Sequence, residues 1–459
     1  MRGAPARAHC RSTPARRTKL CPASLITLRQ TPSEVLRTHH SARVRAAWGS
    51  DKTGLAAHTT TRVAPDGSAL VLIPDEDHLE STIHAWRGNG RTGPAAILSG
   101  GPSRHDPHTS IRQIGTAQEL ATLIHGNQGP LTVFTTYQHK LTLQSAHREH
   151  DLPAWDMLVA HLDHADKAPW ADLHKPGLWP AHHRLYLTAM RQRPTGASIF
   201  TRHTRRGQPA SVDETATYGP LAWDRTFSSA VDEVQLRDYS IFVSDTFDST
   251  MPFRFASDVD ASRRTQLLVN TFDALRLNRI SRCLFFTDSD DTASHHAQQA
   301  IPAAIASAVW SDDHTTIRRV HCHTVLEHDT PDKRAAALAA FNDTPTHQDG
   351  TCALLFCTPK ALAATSSFTP PAVDAAVIGS PDYGTTVLTR AVRQSLRPVL
   401  DSTHPVVLIV PIVFPEGDKP NRDLATSLAY EPLAHLMRVL VSHDDRIVDE
   451  ETLIKRLGC

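Results

Sequence analysis

The stretch Gly49-Ser-Asp-Lys-Thr53 carries residue types that phosphate chemistry needs, at a workable spacing. A glycine lets the backbone approach an anion, so that N–H groups can close around it. Lys52 is then placed to reach the β- and γ-phosphates of a nucleotide, and the Thr53 hydroxyl to hold Mg2+. Gly49 and Ser50 complete the loop. Taken alone, Gly-x-x-Lys-Thr arises by chance in many chains. A second cluster, Arg390, Arg393 and Arg397, falls at spacings of three and four on one predicted helix. Such a basic stripe either meets phosphate or is solvated. Tyr137 directly follows a predicted strand and is either a stacking surface for a base or a core aromatic.

Other groups of chemistry-bearing residues read more blandly. His161-Leu-Asp-His164 brings two imidazoles and a carboxylate to a strand end. Three ligands within four residues rarely converge on one ion, so a solvated turn is the better reading. His321-Cys-His323 puts two imidazoles on one strand face, a coincidence expected in a chain with 28 histidines. The seven scattered cysteines include no Cys-x-x-Cys. No structural zinc and no disulfide framework is expected, and a reducing cytoplasm is. The chain has no Gly-x-Ser-x-Gly elbow, which argues against a serine hydrolase. Trp86, Trp155 and Trp223 read as core or interface aromatics.

The elements that must position these residues alternate. Predicted strands fall at 69–73, 131–136, 155–160 and 184–188, with helices at 76–87, 117–125 and 138–148. Residues 201–222 are polar and without period, which reads as a surface connection. A second series follows, with strands at 239–243, 282–287, 319–323, 352–357, 375–378 and 406–410. Helices at 264–277, 292–309 and 331–341 separate them, and a last one spans 424–441. Short buried apolar strands between helices imply mostly parallel sheets, so the fold class is α/β with two domains in tandem.

A chain of 459 residues is long enough for two or three domains. Its net charge of zero hides an asymmetry. Residues 1–50 hold ten Lys or Arg and one acid, Glu34, a balance of +9 that the rest must offset. A basic arm over 1–40 could touch nucleic acid phosphates. The plainer reading is a disordered leader, and an Arg-rich, acid-poor start also mimics a transit peptide. The apolar core of a secretory signal is missing. No run of 18 apolar residues occurs, so no membrane partner is expected.

Taken in order, these segments resemble the superfamily-two DEAD/DEAH-type helicases, in particular their actinobacterial restriction-helicase-like branch. The resemblance covers roughly residues 40–415. Gly49–Thr53 stands at the Walker A loop and Ala69–Pro74 at the next motif. Thr132–Tyr137 is similar to a strand ending in a nucleic-acid-contacting turn. Trp155–Ala160 leads into the DEAH position, taken here by His161-Leu-Asp-His164. Arg184–Met190 resembles the strand ending in Thr-Ala-Thr. Cys283–Phe286 resembles the strand that opens the second domain's motifs, and Pro371–Ala375 and Ala391–Pro398 fall at the last two. The resemblance implies two RecA-like P-loop domains over 41–205 and 239–415, joined by 206–238 and followed by a helical tail at 416–459. It also implies ATP with Mg2+ between the domains, and DNA or RNA across both.

The departures from the family pattern are chemical. Asp51 replaces the glycine before the lysine and sets a carboxylate beside the phosphates. Two like charges near 4 Å at an effective dielectric of 20 repel by about 4 kcal/mol. His161 replaces the metal-side carboxylate and Leu162 the general base, whose loss typically costs about 10²–10⁴ in rate. Asp163 is the one carboxylate nearby that could partly substitute. Gln394 falls where an arginine finger is expected, a group worth roughly 10³–10⁵. Arg397 keeps the second arginine, while Arg390 and Arg393 take the Gln and Gly positions. Thr365–Thr369 has lost another nucleotide-sensing carboxylate. The expectation is a helicase-like nucleic-acid-binding protein with little or no hydrolysis. An active DNA-dependent ATPase, or a protein-binding scaffold, are the alternatives; protein partners stay unspecified.

Overall fold

The computed structural model describes residues 31–447, less 75, 100–104, 107–110, 163–177, 191–214, 246–258, 310–316, 318, 346–349, 364–372, 380–384, 399–403 and 413–429. Asp163, the motif at 365–369 and most of the N-terminal arm lie outside the described residues.

The strands of the first sheet are β1 (Ser41–Ala46), β2 (Ser68–Ile73), β3 (Ala95–Leu98), β4 (His105–Asp106), β5 (Ile111–Ile114), β6 (Leu131–Thr136), β7 (Trp155–His161), β8 (Ala181–Thr188) and β9 (Leu221–Arg225). They lie in the order β4-β5-β3-β6-β2-β7-β8-β1-β9, parallel except for β4 against β5. The second sheet holds β10 (Tyr239–Asp245), β11 (Arg282–Phe286), β12 (Arg319–Val325), β13 (Thr351–Cys357), β14 (Ala375–Ile378) and β15 (Val406–Ile412). Its order is β10-β15-β14-β11-β13-β12, parallel throughout. The helices are α1 (Pro32–His39), α2 (Lys52–Val63), α3 (Leu79–Gly88), α4 (Ala117–Gly126), α5 (Lys140–His150), α6 (Thr215–Tyr218), α7 (Phe227–Asp232), α8 (Val259–Leu277), α9 (Asp290–Val309), α10 (Pro331–Asp343), α11 (Pro359–Ala363), α12 (Thr385–Ser395) and α13 (Glu431–His443). This is an α/β fold of two RecA-like parallel sheets.

The central strands are uncharged and mostly apolar because helices cover both faces. Every residue of β6 and of β13 is buried. Strand β1 differs: Arg43 and Arg45 make it read polar. Arg43 is buried nonetheless, because its Nε donates to the Gly219 carbonyl at 3.0 Å. Arg45 pairs with Asp224 at 2.6 Å. These contacts run toward β9, so residues 221–225 form the sheet's edge strand and are not part of a loose connection.

Two further segments depart from the sequence reading. Residues 32–39, placed in a disordered arm, form α1, opened by a capping box in which Thr31 and Glu34 bond each other's backbone. Val35 and Leu36 are buried in the first core. At the other end, the helix expected at 424–441 is α13 at Glu431–His443, and it packs inward: Leu433, Leu436, Met437 and Leu440 are buried. That core, on one face of the second sheet, reaches across to Trp48, Ala189, Phe227 and Ala230 of the first. Among the described residues no helix is long and apolar enough to cross a membrane.

Candidate phosphate-binding cleft

Strand β1 ends in a loop that turns into α2. Gly49 takes φ +77°, a conformation that glycine adopts without penalty. It also has no room for a side chain, since a Cβ would stand 2.9 Å from the Gln235 carbonyl oxygen. Ser50 is buried, and its Oγ has no hydrogen-bond partner among the described residues. Asp51 takes φ +45°, ψ +44°, and its side chain accepts from the Gly54 N–H at 3.0 Å, capping α2. The Lys52 ammonium donates to the Ala46 carbonyl at 2.9 Å. Backbone amides at a helix start with a lysine beside them are groups that suit an anion.

A cavity of about 300 Å³ opens on this loop. Its walls are residues 49–53, Ile73 and Pro74 at the end of β2, His78 with Ser81, Thr82 and Ala85 of α3, His161 at the end of β7, and Arg393. Parallel packing gathers them: β2, β7 and β1 all run the same way, so their C-terminal ends share one edge. Arg393 comes from α12 in the second sheet's half of the molecule, so the cavity lies between the two.

The helical phase of α12 decides which arginine reaches the cleft. Leu388, Ala391, Val392 and Ser395 face the core. Gln394, at the expected finger position, is buried, and its Nε2 donates to the Pro359 carbonyl at 3.1 Å. Arg393, one residue earlier, is half-buried and lines the cavity. Arg390 and Arg397 are not among the lining residues. Arg397 lies past the end of α12, which spans Thr385–Ser395, so the three arginines do not share one helical stripe. Burial, and then the neighbouring Arg393, hold the Arg397 guanidinium below its ordinary pKa. Two cations that penalise each other favour an anion between or beside them.

Burial decides two other positions, and it rules against the base-stacking reading of Tyr137. Tyr137 presents no ring to solvent: it is 6 % exposed, packs in the first core, and its hydroxyl donates to the His161 carbonyl at 2.8 Å. The turn after β6 folds it back beneath the sheet edge. Leu162, at the position of the base, is fully buried, and its N–H bonds the Leu187 carbonyl at 2.7 Å. It is core. The polar α3 wall of His78, Ser81 and Thr82 had no motif to signal it. The available clue was the helix phase, with Ile83 and Trp86 turned to the core.

A second contact zone joins the sheets. His443, at the end of α13, packs against Trp48 with the rings tilted by 56° and their centroids 4.2 Å apart, and its Nδ1 donates to the Ala189 carbonyl at 3.3 Å. Asp445 accepts from the N–H and hydroxyl of Ser228 at the start of α7, at 2.8 and 2.5 Å. Asp444 accepts from the Tyr239 hydroxyl at 2.7 Å and from Arg446, which also reaches Asp238 at 2.8 Å. The linker N–H of Arg237 bonds the Leu396 carbonyl next to α12.

No family model and no curated protein matches the sequence. Solved structures do match. The chain is similar to the ATP-dependent Type ISP restriction-modification enzyme LlaBIII, solved bound to DNA, with 17 % identity and a TM-score of 0.71. It is also similar to a nuclease-deletion mutant of the Type ISP enzyme LlaGI in complex with a DNA substrate mimic, with 18 % identity and a TM-score of 0.62. The fold is helicase-like. Each alignment covers 95 % of this chain and 30 % of the other, so the chain spans about a third of the length of those enzymes.

Proposed function

We propose that this chain is a superfamily-two, helicase-like protein of the restriction type that binds nucleic acid, with ATP phosphates in its interdomain cleft and little or no hydrolysis. The observation that carries the reading is the single cavity bordered by the Gly49–Thr53 loop and, from the other half, by Arg393. The unpartnered Ser50 Oγ fits a phosphate oxygen as acceptor, and Lys52 and Arg393 fit its charge. DNA is the proposed partner, supported by the DNA-bound enzymes that share the fold.

Mg2+ fits less well. It is a hard ion that takes oxygen ligands. The cavity offers the Thr53 hydroxyl and Asp51, whose carboxylate already accepts from Gly54, while His161 stands where a carboxylate would serve best. Leu162, at the position of the general base, is buried and has no group that can take a proton, which leaves the His161 imidazole in place of a carboxylate at the β7 end. These features support weak turnover. Buried free thiols at Cys283, Cys352 and Cys357 support a reducing, cytoplasmic setting.

Arg393 favours a second reading. It puts a guanidinium opposite the loop, so an active DNA-dependent ATPase is the alternative. Phosphate release, measured with and without single- and double-stranded DNA beside a Lys52→Ala control, separates the two. Salt-dependent DNA binding without turnover is expected. DNA-stimulated turnover of about 1 s⁻¹ or more, abolished by Lys52→Ala, would establish the alternative.

A further inference from the structure

We propose that Asp51 is an internal competitor for the phosphate site: its carboxylate holds the mouth of α2, and a phosphorylated ligand enters only when that side chain swings out. The proposal rests on the phosphate-cleft reading and adds its regulation.

Asp51 lies in the left-handed region, where a side chain costs free energy that glycine does not incur. That backbone turns the carboxylate back over the helix, onto the Gly54 N–H and against the Gly54 α-carbon. A carboxylate at this place has the charge and acceptor geometry of the anion the site would bind. Ser50 is an independent sign that a ligand belongs there. It is 5 % exposed, it lines the cavity, and its Oγ lacks a partner among the described residues, an arrangement that disfavours an empty site. Asp51 itself is exposed, so release into water strands no charge in the interior. The arrangement is a displaceable cap.

Occupancy and simple repulsion make different demands on the side chain. Asp51→Asn removes the charge but keeps an oxygen able to cap α2 and tolerates the left-handed backbone. Asp51→Gly removes both and takes φ +45° freely. Titration of the full chain with inorganic pyrophosphate at fixed ionic strength reads the difference, with thermal melting as the check on folding. Asp51→Gly is expected to bind at least about tenfold tighter than wild type, and Asp51→Asn to recover only part of that gain. Equal affinity for wild type and Asp51→Gly would overturn the competitor and leave the cleft reading standing. Equal gains in the Asn and Gly variants would also overturn it, in favour of repulsion alone. Adding Lys52→Ala to Asp51→Gly should erase the gain. A gain that persists, or no binding by any variant, would overturn the cleft reading as well.

Discussion

At the clasp formed by α13 and the residues after it, acids and bases are matched: Arg446 bonds Asp444 and Asp238, Tyr239 bonds Asp444, and Ser228 bonds Asp445. Burial pulls the Arg446 guanidinium down in pKa, and the two carboxylates outweigh it, so the net direction is upward. Its guanidinium also lies over the Phe227 and Tyr239 rings. The cleft, on the other side of Trp48, gathers Lys52, Arg393 and an unsatisfied hydroxyl around open space. Matched charges hold the two halves together at the clasp, whereas the cleft sets Lys52 and Arg393 beside a cavity that the Asp51 carboxylate also lines. The same two halves therefore meet once to stay joined and once to leave a cavity between them.

The comparison breaks first at the clasp. Arg446→Met leaves the nearly inaccessible Asp444 side chain without its cation and should lower unfolding free energy by about 3 kcal/mol in urea titration. A loss under about 1 kcal/mol would make the clasp no stronger than a surface ion pair. A site remote from both contact zones calibrates the scale. Burial, with His295 and Arg264 adding to it, holds His296 at a pKa of about 4. The folded state disfavours its protonated form, so its contribution is intact above about pH 6.5 and is lost as pH falls toward 4. Wild type should lose about 2–3 kcal/mol more than His296→Leu across that window in denaturation at stepped pH.

Smaller effects sharpen the cleft. Arg393→Ala should weaken pyrophosphate binding by about tenfold or more while melting normally. Gln394→Ala should leave binding unchanged and cost about 1 kcal/mol of stability, from its lost bond to Pro359. The opposite pattern would return the cross-cleft role to position 394. Tyr137→Phe should cost about 1 kcal/mol and leave DNA affinity, read by fluorescence anisotropy, unchanged.

Much of the fold was legible because central parallel strands are short β-branched and apolar stretches without charges, as in Leu131–Thr136 and Thr351–Cys357, where every residue is buried. Strands β1 and β9 were not, since β1 alternates Ala42, Val44 and Ala46 with two arginines, and the partners that make those charges tolerable, Gly219 and Asp224, lie 176 and 179 residues away in the sequence. Spacing alone did not single out residues 49–53; their place in the order of segments did, and the structure sets them at the turn from β1 into α2. The role of Arg393 was not: a motif match fixes which residue stands at a family position, while the rotation of α12 is set by what Gln394 and its apolar neighbours bury. Which of the two readings of Tyr137 holds was not legible for a related reason, because a strand end says nothing about which way the following turn folds.

Gly49 rests its α-carbon against the backbone of the segment that connects the halves, with the Gln235 oxygen and the Leu236 side chain within reach of any added methyl. The shape of residues 49–53 is thus moulded partly from outside. Transplanted into another RecA-like domain, these five residues would lose their backing and relax, and a longer or shorter connector in this protein would deform them in turn. Loop and connector are one packed unit, and an exchange of either has to reckon with the other.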